Sequence, residues 1–129
     1  MKRRTSAYLL GIGIAALAAV TAFAEAWPLA NHTHYITFSR AVQLPGVELA
    51  AGTYIFELAA PDSDRTIVRV SSRDRRHVYL LAFTNSVARP ATLKDDEIVT
   101  FREVTGAAAP PIAAWYPPDL DSGRQFIYR

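Results

Sequence analysis

From His34 to Tyr128, no apolar spacing of three and four residues lasts more than two helical turns. What recurs is alternation with a period of two, the mark of a half-buried strand. The clearest instance is Gly52-Thr53-Tyr54-Ile55-Phe56-Glu57-Leu58, where a glycine punctuates the chain and Tyr54, Phe56 and Leu58 then share one face. Strands of this kind must bury their apolar face against another layer, because an antiparallel sheet is solvated on one side only. The pattern therefore predicts an all-β protein whose core lies between packed sheets.

The neighbouring segments fit that frame. His34 to Phe38 alternates with Ile36 and Phe38 on one side. Val42–Leu44 and Val47–Leu49 flank Pro45-Gly46, where proline presets φ and glycine tolerates positive values. Pro61-Asp62-Ser63-Asp64 separates the central strand from Thr66–Ser71, and Ser72-Arg73-Asp74-Arg75-Arg76 makes a charged hairpin tip. His77–Thr84 is apolar on both faces, which predicts the most buried strand of the fold. A loop from Asn85 to Asp96 leads to strands at Glu97–Val104 and Ile112–Tyr116, and Arg124–Tyr128 closes the chain. About seven short strands at spacings near 8–12 residues predict a single small antiparallel β-sandwich, with a small barrel as the alternative. Phe56, Leu80 and Phe101 are expected in one contiguous core, and Gly52 at the turn that opens the central strand.

Ahead of these strands the chain starts Met1-Lys2-Arg3-Arg4, carries no charge from Ala7 to Val20, and then reads Ala22-Phe23-Ala24. A basic start, an apolar stretch and a small-x-small site predict a secretory signal peptide over residues 1–24, followed by a β-sandwich domain over 25–129. The apolar stretch is shorter than the roughly 20 residues of a membrane span, so an integral membrane protein is not expected. Ala24-Glu25-Ala26 offers a second cut two residues on. The expected location is periplasmic or secreted. Cleavage removes three of the 14 basic residues and no acid, leaving 11 against 12. The basic character of the whole chain thus belongs to the leader and is no nucleic-acid footprint. There is no cysteine, so neither a disulfide nor thiolate chemistry is available.

Few residues suggest chemistry. His32 and His34 stand at i and i+2, on one side of a strand with Cα atoms about 6–7 Å apart. With His77 they would make a zinc or copper site; otherwise they are rim histidines. Arg73, Arg75 and Arg76 offer an anion site for a phosphate or an acidic glycan, or simply a solvated tip. Trp115 and Tyr116, with Trp27 and Tyr128, offer an aromatic platform, unless Trp115 is core. Asp119-Leu120-Asp121-Ser122-Gly123 and Asp62-Ser63-Asp64 lack the remaining ligands of a calcium loop and read as turn aspartates. The chain has no G-x-S-x-G, no H-E-x-x-H and no glycine-rich phosphate loop. An enzyme is therefore not expected, and no cofactor is called for.

Several segments recur together in order: Ile36-Thr37-Phe38-Ser39, Leu44-Pro45-Gly46, Ala51-Gly52-Thr53-Tyr54, Ile98 to Glu103, Ala114-Trp115-Tyr116-Pro117, and Gly123 with Phe126 to Tyr128. This order resembles a family of small, exported, uncharacterised bacterial proteins, abundant in acidobacteria and predicted to be β-sandwiches. Ala50 stands where that family often has proline, and Asp119 where it often has glycine. The resemblance implies a fold and no activity, cofactor or catalytic residue. The expected function is surface binding of a partner protein or a cell-envelope polysaccharide, with a small metal-binding protein built on the histidines as the alternative.

Overall fold

Alternation predicts strands and the structure supplies them: the described residues hold eleven strands and no helix. The structure is a computed structural model, and it describes residues 20–23, 32–104, 106 and 109–129. Most of the expected signal peptide, its cut after Ala24, and Trp27 lie outside the described residues.

The strands are β1 (Val20–Phe23), β2 (His34–Phe38), β3 (Val42–Leu44), β4 (Val47–Leu49), β5 (Gly52–Ala60), β6 (Asp64–Ser72), β7 (Val78–Phe83), β8 (Asn85–Ala88), β9 (Val99–Phe101), β10 (Ile112–Trp115) and β11 (Ser122–Gln125). They form a five-stranded sheet in the order β1-β2-β5-β6-β7, a four-stranded sheet in the order β8-β11-β10-β9, and the hairpin β3-β4. Every pairing of strands is antiparallel. The all-β expectation holds. β1 falls inside the segment predicted as signal peptide, and its backbone pairs Val20 with Phe38 and Phe23 with Tyr35 of β2.

The two sheets and the hairpin close on one apolar cluster. The large sheet contributes Ile36, Phe38, Tyr54, Phe56, Leu58, Val68 and Val70; the small sheet and its approaches contribute Ile98, Val99, Ile112, Trp115 and Phe126. Phe56 sits at its middle, with ring centroids 6.1 Å from Phe38, 6.0 Å from Trp115 and 6.5 Å from Phe126. Leu80 and Phe101, expected in the same core, are half-buried at its margin and packed against it. Gly52 opens β5, the central strand of the large sheet, with φ 155°. Gly46 takes φ 75° in the turn joining β3 and β4, a value that costs glycine least.

One expectation is overturned. His77–Thr84 is not the most buried strand: β7 is the edge of the large sheet, and Val78, Leu81 and Phe83 are 57%, 61% and 65% exposed. Apolar residues on both faces suit a strand covered on both sides, but only Leu80 and Ala82 turn toward the core here. The most buried strand is β5, where every residue from Tyr54 to Leu58 is buried, including Ile55 and Glu57 on the face away from the core.

The chain changes sheets at one residue. Thr84 alone separates β7 in the large sheet from β8 in the small one. It is buried, and both its N–H (2.8 Å) and its hydroxyl (2.6 Å) donate to the carbonyl of Thr66. Across the same end, the buried Arg124 of β11 donates through Nε to the carbonyl of Arg65 in β6 at 2.6 Å, a second tie between the sheets.

A tight approach fixes the C-terminal hairpin. A Cβ on Gly123 would lie 2.3 Å from Cδ1 of the buried Tyr116 ring and 3.2 Å from the Trp115 carbonyl. Gly123→Ala is expected to destabilise the fold by about 1–2 kcal/mol through overpacking. A urea titration checks this; an unchanged midpoint would show that the ring has room to move.

Candidate functional site

At the rim of the sandwich, the start of β2 meets the turn between β10 and β11. His32 Nδ1 lies 2.5 Å from Asp119 Oδ2, and His34 Nε2 lies 3.9 Å from Asp119 Oδ1. His32 has φ 54°, which turns the chain into β2. His34 continues the inward face of Ile36 and Phe38, is buried, and meets the Trp115 ring edge-on at 5.9 Å. Burial holds its pKa below the ordinary histidine value; the Asp119 carboxylate opposes that shift without reversing it. Among the described residues, neither His34 Nδ1 nor Trp115 Nε1 has a hydrogen-bond partner. Among the described residues, the contacts at this rim are Asp119 and the Trp115 ring.

His77 takes no part. It precedes β7, three strand spacings from His34 across the sheet, about 14 Å at ordinary strand separation. Its ring stands 6.4 Å from that of Tyr79. The site expected from His32, His34 and His77 is not assembled, and among the described residues no group of three or more His, Cys, Asp or Glu side chains gathers to hold a metal.

The second polar centre lies on the outward face of the large sheet, and the sequence pattern did not point to it. Glu57 is fully buried there. Its carboxylate accepts from Thr33 Oγ1 at 2.9 Å, Arg69 Nε at 3.0 Å and Arg75 Nη1 at 2.9 Å. Burial alone would raise the pKa of this acid; hydrogen bonds from Arg75, Thr33 and Arg69 outweigh it and hold the group below the usual carboxylate range.

That centre corrects the expected arginine site. Arg75 (φ 63°) is committed to Glu57, while Arg73 lies over the Tyr35 ring at 5.9 Å. Arg76 is exposed, and its backbone N–H donates to Asp74 Oδ1 at 3.0 Å. Asp74 also accepts from the Ser72 hydroxyl at 2.6 Å, so the tip is a closed turn and not a convergent cradle. The aromatic platform is corrected too. Trp115 and Tyr116 are both buried; the first is core and the second packs along Gly123. Asp62 is exposed in its turn, and Asp64 accepts from Thr66, as turn aspartates do.

Two surface features remain. A cleft of about 310 Å³ on the small sheet is lined by Asn85, Arg102, Gln125 and Tyr128, among others. Arg102 lies 4.7 Å over the Tyr128 ring, and the Tyr128 hydroxyl donates to the Ile112 carbonyl at 2.6 Å. Burial pushes that phenol above its ordinary value. The other feature is β7 itself: an uncharged, proline-free strand with one edge unpaired among the described residues and Leu81 and Phe83 turned outward. An edge of this kind is a template for pairing with another chain. Its hydrophobicity was legible in the sequence; its position was not. No helix among the described residues is long and apolar enough to cross a membrane. No protein-family model, curated protein or solved structure matches the chain.

Proposed function

We propose that the protein is an exported, non-enzymatic β-sandwich module that docks a partner protein along β7. The observation that carries this reading is the exposure of Leu81 and Phe83 on an unpaired edge strand that lacks charge and proline. Natural sheets protect such edges with lysine, proline or a covering segment; among the described residues this one has none of these, and main-chain hydrogen bonds with alternate side-chain contacts are how edge strands bind extended partners. The basic start, apolar stretch and Ala22-Phe23-Ala24 support export, and with it membership of the family of exported bacterial β-sandwich proteins that the chain resembles. A cut after Ala24 would separate β1 from β2, yet β7 is an edge with or without it.

The test is a photo-crosslinking side chain placed at Phe83 in the living cell, compared with one at Glu48, which is exposed in the β3-β4 hairpin. A discrete adduct from position 83 and none from 48 is expected. Equal labelling from both would refute β7 as the docking strand. A second reading, binding of an acidic envelope polysaccharide, rests on the cleft beside Arg102. It requires Arg102→Ala to abolish retention on a uronate-bearing polysaccharide while Phe83→Lys leaves retention unchanged.

A further inference from the structure

Resting on that reading, we infer that the partner of β7 is a second copy of this chain, paired antiparallel about a two-fold axis at Ala82. The phase of the ladder carries the register. The Thr84 N–H donates to the Thr66 carbonyl, and Phe83 faces Ile67, Ala82 faces Val68 and Leu81 faces Arg69. In an antiparallel pair hydrogen-bonded and non-bonded residues alternate. Leu80 and Ala82 therefore turn their backbone groups to β6, while Leu81 and Phe83 turn theirs to the free edge; the irregularity between Val70 and Ser71 shifts this phase before Leu80. Along the regular part of the ladder, from Leu80 on, a second β7 bonds through the same two residues. Register centred on Ala82 sets Leu81 opposite the partner's Phe83 and Phe83 opposite the partner's Leu81.

That register makes two reciprocal hydrogen-bonded pairs, and each is also an aliphatic–aromatic cross-strand contact on the outward face. A patch that satisfies itself under a two-fold rotation is the requirement for a closed dimer. A register centred on Leu81 would instead pair Phe83 with the partner's Tyr79, at the irregularity between the Val70 and Ser71 positions of the β6-β7 ladder.

Charge favours the same orientation. β7 begins beside the tip of Arg73 and Arg76 with Asp74, where Arg75 is paired with Glu57, and runs toward the turn that carries Asp62 and Asp64 with Arg65. Antiparallel pairing sets the basic end of each copy toward the acidic end of the other. Parallel pairing would stack like ends.

The chain has no cysteine, so one introduced thiol reports the register. Ala82 is the non-hydrogen-bonded position on the axis, where Cα atoms stand about 4.5 Å apart, inside the range a disulfide spans. The purified protein, its subunit mass read by mass spectrometry, is expected to sediment at twice that mass over a concentration series. Leu81→Lys with Phe83→Lys should halve it without changing the circular dichroism, since both side chains are exposed. Ala82→Cys should give a disulfide-linked dimer on mild oxidation, and Glu48→Cys should not. A monomeric wild type whose Phe83 crosslinker still takes a discrete foreign protein would overturn self-pairing and leave β7 as the docking strand. A dimer that survives both lysines and does not link through Ala82→Cys would overturn self-pairing, and with equal labelling from positions 83 and 48 the β7 reading would fall as well.

Discussion

Phe56→Ala is expected to lower the melting temperature by roughly 12 °C or more, or to prevent folding altogether. Phe56 is fully buried between the sheets and touches aromatic rings from both. Truncating such a side chain costs about 3–5 kcal/mol in lost transfer energy and in the cavity left behind. A domain of this size is stabilised by about 5–15 kcal/mol in all. No disulfide restrains the unfolded chain. Thermal melts beside Ile127→Ala, an exposed aliphatic position, make the comparison. Matching losses at the two sites would mean that Phe56 does not bridge the layers.

The second large effect is expected at Glu57. Glu57→Lys would place a cation at a fully buried position that already faces Arg69 and Arg75, and would leave the Thr33 hydroxyl without its acceptor. An uncompensated buried charge costs about 3–5 kcal/mol. The two arginines are partly exposed and can swing into water, which favours the lower end of that range. Glu57→Gln should be milder and carries a pH signature. The folded-state pKa of Glu57 lies below its unfolded value, so its ionised form is favoured by folding. That contribution is complete above the ordinary glutamate value of about 4.3 and declines as the pH falls through the folded pKa. Urea titrations at descending pH should show the wild-type advantage over Glu57→Gln shrinking under acid. An advantage that grew under acid would mean that the carboxyl is protonated in the native state.

Arg75 shows where the sequence stopped being informative. Read along the chain, Ser72-Arg73-Asp74-Arg75-Arg76 is a run of charges at a turn, and Arg75→Ala would be close to neutral. In the fold Arg75 reaches back 18 positions to a buried acid, so a measurable loss is expected instead. The link depends on the β5-β6 register, which places Glu57 opposite Arg69, and that register contains a shift between Leu58 and Ala60. Counting residues through the Pro61–Asp64 turn does not reveal a bulge.

Strand identity was far more legible than strand position. Periodicity located β2, the β3-β4 hairpin, β5 and β6 because each has one apolar face. It missed β8 (Asn85–Ala88), whose Asn-Ser-Val-Ala carries too little hydrophobic contrast to stand out from a loop. For β7 the same information misled: apolar residues on both faces are equally compatible with a covered centre and with a bare edge. Only the order of strands in the sheet tells the two apart, and that order is set by contacts distant in sequence. The rim cluster was half visible for the same reason. His32 and His34 were conspicuous as a pair, while Asp119, 87 positions from His32, passed for a turn former.

The single-residue corner at Thr84 bears on how load would pass through the molecule. Two strands in different layers are joined there with no slack between them, and the joint is pinned twice to Thr66. Tension on β7 from anything held along its edge would reach β8 without first straightening a loop. From β8 it would spread through β11 into the other layer. A pull along β7 would thus be shared by both sheets and not carried by one alone.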